Sequence, residues 1–65
     1  MPYVNVRVTP AITTEQSKQI VAEITASLVR ILGKKPEHTH IVIDEIPQDR
    51  WGFGGRLTSE IRESE

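Results

Sequence analysis

From Tyr3 to Thr9 apolar and polar side chains alternate: Val4, Val6 and Val8 fall on one face, Tyr3, Asn5 and Arg7 on the other. A period of two carried by β-branched residues predicts a strand. Pro10 ends it, because proline has no N–H to give to a ladder. The period then lengthens. Ile20, Val21, Ile24, Leu28, Ile31 and Leu32 recur at helical spacing and predict a helix over residues 14–32 with one apolar face. Thr13 followed by Gln16 matches a capping box, Glu15 suits the positive end of the helix dipole, and Gly33 followed by Pro36 marks the stop. Lys18, Glu23 and Arg30 can face water, while Ala22, Ala26 and Val29 widen the apolar surface and hint at a second packing partner.

"THIVIDEI", Thr39 to Ile46, predicts a second strand with Ile41 and Ile43 on one face and His40, Val42 and Asp44 on the other. A helix long enough to run back along the first strand makes this a βαβ unit with parallel strands and a right-handed crossover. After Pro47, "RWGFGG" supplies glycines for a tight reversal, with Trp51 and Phe53 alternating between them as in a small hairpin. The charged end beyond it is expected to fray or to lie on a neighbour. Residues 1–65 are read as one domain. A two-stranded unit with one helix covers only one sheet face; the other, with Tyr3, Val42 and Trp51, needs a partner.

Composition narrows the partners. A chain this short buries only about 60% of its unfolded surface, and small scaffolds compensate with disulfides, metals or self-association. Cysteine is absent, which excludes disulfides and zinc–thiolate sites. His38 and His40 lack a carboxylate at metal-ligand spacing, so no metal is expected. Self-association remains. Eight Lys and Arg against nine Asp and Glu argue against a nucleic-acid partner. No apolar run approaches the roughly 20 residues of a membrane span, and no signal-peptide succession is visible, so a cytoplasmic protein is expected. "GFGG" lacks the lysine and helix of a phosphate loop, and Asp44 and Glu45 point to opposite faces of their strand, which excludes a shared acid–base site.

"MPYVNVRV", "TTEQSKQIVAEIT", "IVIDEI" and "RWGFGG", in that order and spacing, make the chain resemble the 4-oxalocrotonate tautomerase family over nearly its whole length. The resemblance implies an α+β fold: a β-α-β subunit with a C-terminal hairpin, assembling as a homohexamer, a trimer of dimers. It implies removal of Met1, so that the secondary amine of Pro2 becomes a general base. That base drives keto–enol proton transfer on a small 2-oxo or 2-hydroxy acid, without a cofactor. Such a base works best with a pKa near ambient pH, and burial and nearby cations lower that of an amine. The developing dienolate needs cations or hydrogen-bond donors. Where the family carries two arginines this sequence has Ile12 and His40, and where the family has a hairpin aromatic it has Trp51. His40, Arg50 and Trp51 are therefore the expected substrate contacts, with Arg50 the expected replacement cation ahead of Arg7 and Arg56. The departures keep two alternatives open: hydratase, dehalogenase or decarboxylase chemistry on the same scaffold, or a non-catalytic oligomeric module.

Overall fold

The computed structural model describes residues 1–63. Strand β1 (Tyr3–Val8) leads through a loop into helix α1 (Thr14–Leu32), and a short 3-10 turn (Pro36–His38) returns the chain to strand β2 (His40–Glu45). A second 3-10 turn (Gln48–Arg50) precedes a hairpin of β3 (Gly52–Phe53) and β4 (Arg56–Leu57), and helix α2 (Thr58–Glu63) follows directly. β1 and β2 pair in parallel, with Tyr3 opposite His40, Asn5 opposite Val42 and Arg7 opposite Asp44; β3 and β4 pair antiparallel. The expected strand–helix–strand order, parallel pairing and hairpin are all present.

The capping box of α1 is complete: the Thr13 hydroxyl accepts from the Gln16 N–H at 3.1 Å, and the Gln16 side chain accepts from the Thr13 N–H at 2.9 Å. Gly33 closes the helix in the left-handed region at φ 67°, which a residue with a Cβ enters only at a cost. Nineteen residues of helix span about 28 Å, whereas six-residue strands span about 20 Å. Helix α1 therefore outruns the sheet. Ile20, Ile24 and Leu28 are half-buried, but Ile31 and Leu32, in the last turn, are 66% and 58% exposed.

The charged tail differs from its expectation. It forms α2, which packs against the Gln48–Arg50 turn and β4 rather than fraying from its start. Thr58 anchors it, donating both its N–H and its hydroxyl to the Trp51 carbonyl, each at 2.7 Å. A polar composition hid this helix, because its stabilising contacts run to a turn rather than to an apolar face. Ser64 and Glu65 lie outside the described residues. Trp51 also departs from expectation: it stands before β3 and beyond β2, outside the β1–β2 register, so the open sheet face carries Tyr3 and Val42 without it.

Among the described residues no hydrophobic side chain is buried, and only Thr58, 5% exposed, falls in the buried class. The surface, 4994 Å², exceeds the about 4,200 Å² of a compact monomer of this mass. The radius of gyration, 15.2 Å, compares with about 11 Å for a compact domain of this length. The chain measures 45 × 24 × 15 Å. Met1, Tyr3, Ile31, Leu32 and Phe53 are each more than half exposed.

Candidate active site

Pro2 stands immediately before β1, half-buried, behind an 86% exposed Met1. Its carbonyl accepts the backbone N–H of His40 at 3.0 Å, the first rung of the parallel ladder. The proline ring is thus fixed at the end of the sheet by a main-chain bond that does not depend on the His40 side chain. Strand alternation gives Pro2 the parity of Val4, on the helix side, and gives His40 the parity of the open face. The crossover brings the C-terminal end of α1 to this same end of the sheet, so the exposed Ile31 and Leu32 lie at the Pro2 end.

Arg50 and Trp51 lie at the other end. The last rung of the ladder runs from the Ile46 N–H to the Val8 carbonyl at 2.7 Å, and the 3-10 turn containing Arg50 begins two residues later. Measured along the strands, the two ends are about 20 Å apart. Arg50 is exposed; its Nη1 donates to the Asp49 carbonyl at 3.1 Å and pairs with the Asp49 carboxylate at 3.5 Å. A solvent-exposed pair of this kind is worth less than about 1 kcal/mol, so it does not hold the guanidinium from another anion. Trp51 is half-buried and its carbonyl is fixed by Thr58. Gly54 and Gly55, at φ 61° and 78°, close the hairpin beyond it, the two consecutive positive angles of a type I′ turn.

Ile12 is also at this second end. With Ala11, Gln16, Gln19, Ile20 and Glu23 it lines an open groove of about 310 Å³ where the β1–α1 loop meets the helix. The groove contains neither Pro2 nor His40, and no lysine or arginine lines it. Within one chain the expected residues therefore fall into two groups, Pro2 with His40 and Arg50 with Trp51. The sequence pattern does not encode this separation, which depends on strands running in parallel with both connections leaving the same end. His38 is exposed in the first 3-10 turn, and among the described residues no cluster of three His, Asp or Glu can hold a metal ion. No described helix is long and apolar enough to cross a membrane.

Comparison with known proteins agrees with this architecture. A family described as tautomerase enzyme matches residues 2–61. The probable tautomerase K2 of Dickeya dadantii is 47% identical over 64 residues, which cover 97% of this chain and 96% of that protein. Among solved structures, a 4-oxalocrotonate tautomerase isozyme from Methylibium petroleiphilum superimposes with a TM-score of 0.93 at 25% identity, over 98% of this chain and 100% of its own. DmpI from Helicobacter pylori gives 0.86 at 26% identity, over 91% and 98%. With the match running from Pro2 into α2, and with the strand, helix and hairpin order in common, the chain belongs to the tautomerase family.

Proposed function

We propose that the protein is a cofactor-independent tautomerase in which the amine of Pro2, freed by removal of Met1, moves a proton within a small 2-oxo or 2-hydroxy acid. The observation that carries this reading is the position of Pro2, half-buried at the sheet end and fixed through its carbonyl to His40. In the enol, the amine takes the hydroxyl proton as the O–H bond breaks. The oxygen becomes a carbonyl, the electron pair of the C=C bond moves to the adjacent carbon, and that carbon takes the proton back from the ammonium. No atom is gained or lost and no external oxidant is needed. One group serves as base and then acid, so its direction matters, and the pyrrolidine ring fixes the direction of the nitrogen.

A cation for the substrate carboxylate is required close to Pro2, and one chain does not bring Arg50 there. A second copy running antiparallel beside the first would set its Arg50 and Trp51 against the Pro2 and His40 of its neighbour. The exposed apolar residues and the extended shape support such a homo-oligomer, with a trimer of dimers as its proposed form. In that arrangement the Arg50 guanidinium binds the carboxylate, Trp51 walls the pocket, and His40 donates to the oxygen that carries the developing charge.

The test is ketonisation of a small enol acid by three proteins: the mature chain, a chain blocked by a retained residue before Pro2, and Pro2→Ala. Intact mass establishes the N-terminus of each. The blocked chain should lose about 10²-fold or more, the contribution of a general base. Pro2→Ala, which keeps an amine but not the ring, should fall between the two. Equal rates for the mature and blocked chains would sink the proposal and leave the non-catalytic module standing.

A further inference from the structure

The chain divides its charge between its two ends. From Ile24, past the middle of α1, to His40 there are three cations, Arg30, Lys34 and Lys35, against one acid, Glu37; the rest of the chain carries five cations and eight acids. Topology puts the basic stretch at the Pro2 end of the sheet, because Lys34 and Lys35 join the C-terminal end of α1 to the turn before β2. The strand register brings it closer. Tyr3 is opposite His40, so one step back along the parallel strands sets Pro2 beside Thr39. The Thr39 hydroxyl donates to the Lys35 carbonyl at 2.8 Å, and the His38 N–H donates to the same oxygen at 3.0 Å. Neighbouring strands are about 4.8 Å apart, and the Lys35 main chain is one hydrogen bond beyond Thr39, on the order of 10 Å from Pro2. An extended lysine side chain spans roughly 6 Å, enough to reach a small acid held at the proline nitrogen.

Closing the helix does not account for these lysines. The closure is made by main chain: the Gly33 N–H donates to the Val29 carbonyl at 3.0 Å and the Lys34 N–H to the Leu28 carbonyl at 3.4 Å. In this motif the position of Lys34 commonly carries an apolar residue that folds back on the helix. Arg30 already stands in the last turn, where a cation suits the helix dipole. Lys34 and Lys35 lie beyond that turn and are exposed, and among the described residues neither ammonium has a hydrogen bond or an ion pair. Two unengaged cations therefore stand on a connection whose main chain is pinned at both ends. We infer that Lys34 and Lys35 are substrate-binding residues of the Pro2 site and receive the carboxylate of the substrate, with Lys35 the nearer. The inference rests on the Pro2 amine proposed above. It supplies cations from the same chain, beside the Arg50 that only a neighbouring copy brings. An ammonium is a compact charge on a flexible stem and meets a carboxylate in several orientations, so this pair selects negative charge rather than one shape. The substrate class is the free acid as against its esters and amides, and the basic end draws such anions toward the amine.

The test compares a small enol acid with its methyl ester. Mature wild type, Lys34→Gln, Lys35→Gln, the double glutamine variant and Lys34→Arg/Lys35→Arg are assayed on both. On the acid, kcat/KM should fall about fivefold for Lys35→Gln, the effect of one unit charge met at about 4 Å in water, and further for the double glutamine variant. The ester should be unaffected, and the arginine pair, which keeps the charge, should retain the wild-type rate on the acid. Added salt should narrow the gap between wild type and the double glutamine variant. The inference is overturned if the double glutamine variant keeps the wild-type rate on the acid, if acid and ester fall together, or if the arginine pair fails as the glutamine pair does. Calorimetric titration with pyruvate separates this from the amine chemistry, because binding needs no turnover. A wild-type chain that ketonises nothing, yet binds pyruvate more tightly than the double glutamine variant does, keeps the lysines and discards the base. Equal pyruvate affinity in an active enzyme discards the lysines and keeps the base.

Discussion

Replacing Thr58 with valine isolates the attachment of the C-terminal arm. Thr58 is 5% exposed, and both its N–H and its hydroxyl donate to the Trp51 carbonyl at 2.7 Å. Valine keeps the side-chain shape and the N–H bond but removes the hydroxyl donor. The Trp51 carbonyl is not orphaned, so the loss is that of one net hydrogen bond, about 1 kcal/mol, without the larger penalty of a stranded buried group. With RT near 0.6 kcal/mol, this corresponds to an arm that opens about fivefold more often. Hydrogen exchange at the Thr58 amide should accelerate by about that factor, while amides in the centre of α1 should not follow, because α2 packs on the Gln48–Arg50 turn and β4. If Trp51 walls the substrate pocket, KM rises with the opening and kcat changes less. Unchanged exchange at Thr58, or equal acceleration in α1, would refute the account of a locally anchored arm.

Four further outcomes follow from named contacts. Thr13→Ala removes the hydroxyl half of a complete capping box and should cost about 1 kcal/mol, read as a lower urea midpoint at fixed protein concentration. Gly33→Ala forces a Cβ into φ 67° and should cost about 1–2 kcal/mol in the same assay; the surroundings are open, so the loss is backbone strain rather than a clash. His40→Ala leaves the N–H that holds Pro2, so the fold and Met1 processing should persist while kcat/KM falls about tenfold, and an unchanged kcat/KM would remove His40 from the site. Ile12→Arg adds a cation to a groove that has none and should lower KM for a dicarboxylate relative to a monocarboxylate by about tenfold, measured on paired substrates.

The local structure was legible because each element announces itself within a few residues. Thr13 and Gln16 cap the helix through bonds that their spacing alone predicts, and Gly33 stops it at the only residue type that enters φ 67° without strain. The alternation of Val4, Val6 and Val8 implied both a strand and its covered face. Helix α2 was not legible, since Thr58 gains its place from the Trp51 carbonyl seven residues away, a contact with no periodic signature. The candidate site was legible as residues and not as an arrangement. Pro2 and Arg50 carry recognisable chemistry, but which end of the sheet each occupies follows from topology. The bond from His40 to Pro2 is likewise a main-chain contact that no side-chain pattern encodes.

The missing core gives the gene an unusual arithmetic. In the homo-oligomer proposed above, the packing that no apolar side chain finds by full burial within the described chain would be drawn from the surfaces of other copies. Folding is then a reaction of order higher than one, and dilution acts on it as a denaturant does. A substitution on the shared face appears in every copy at once, so a small change at one codon is repeated at each contact of the assembly. Such a protein is sensitive to its own abundance: its stability is set as much by how many chains a cell makes as by what each chain contains.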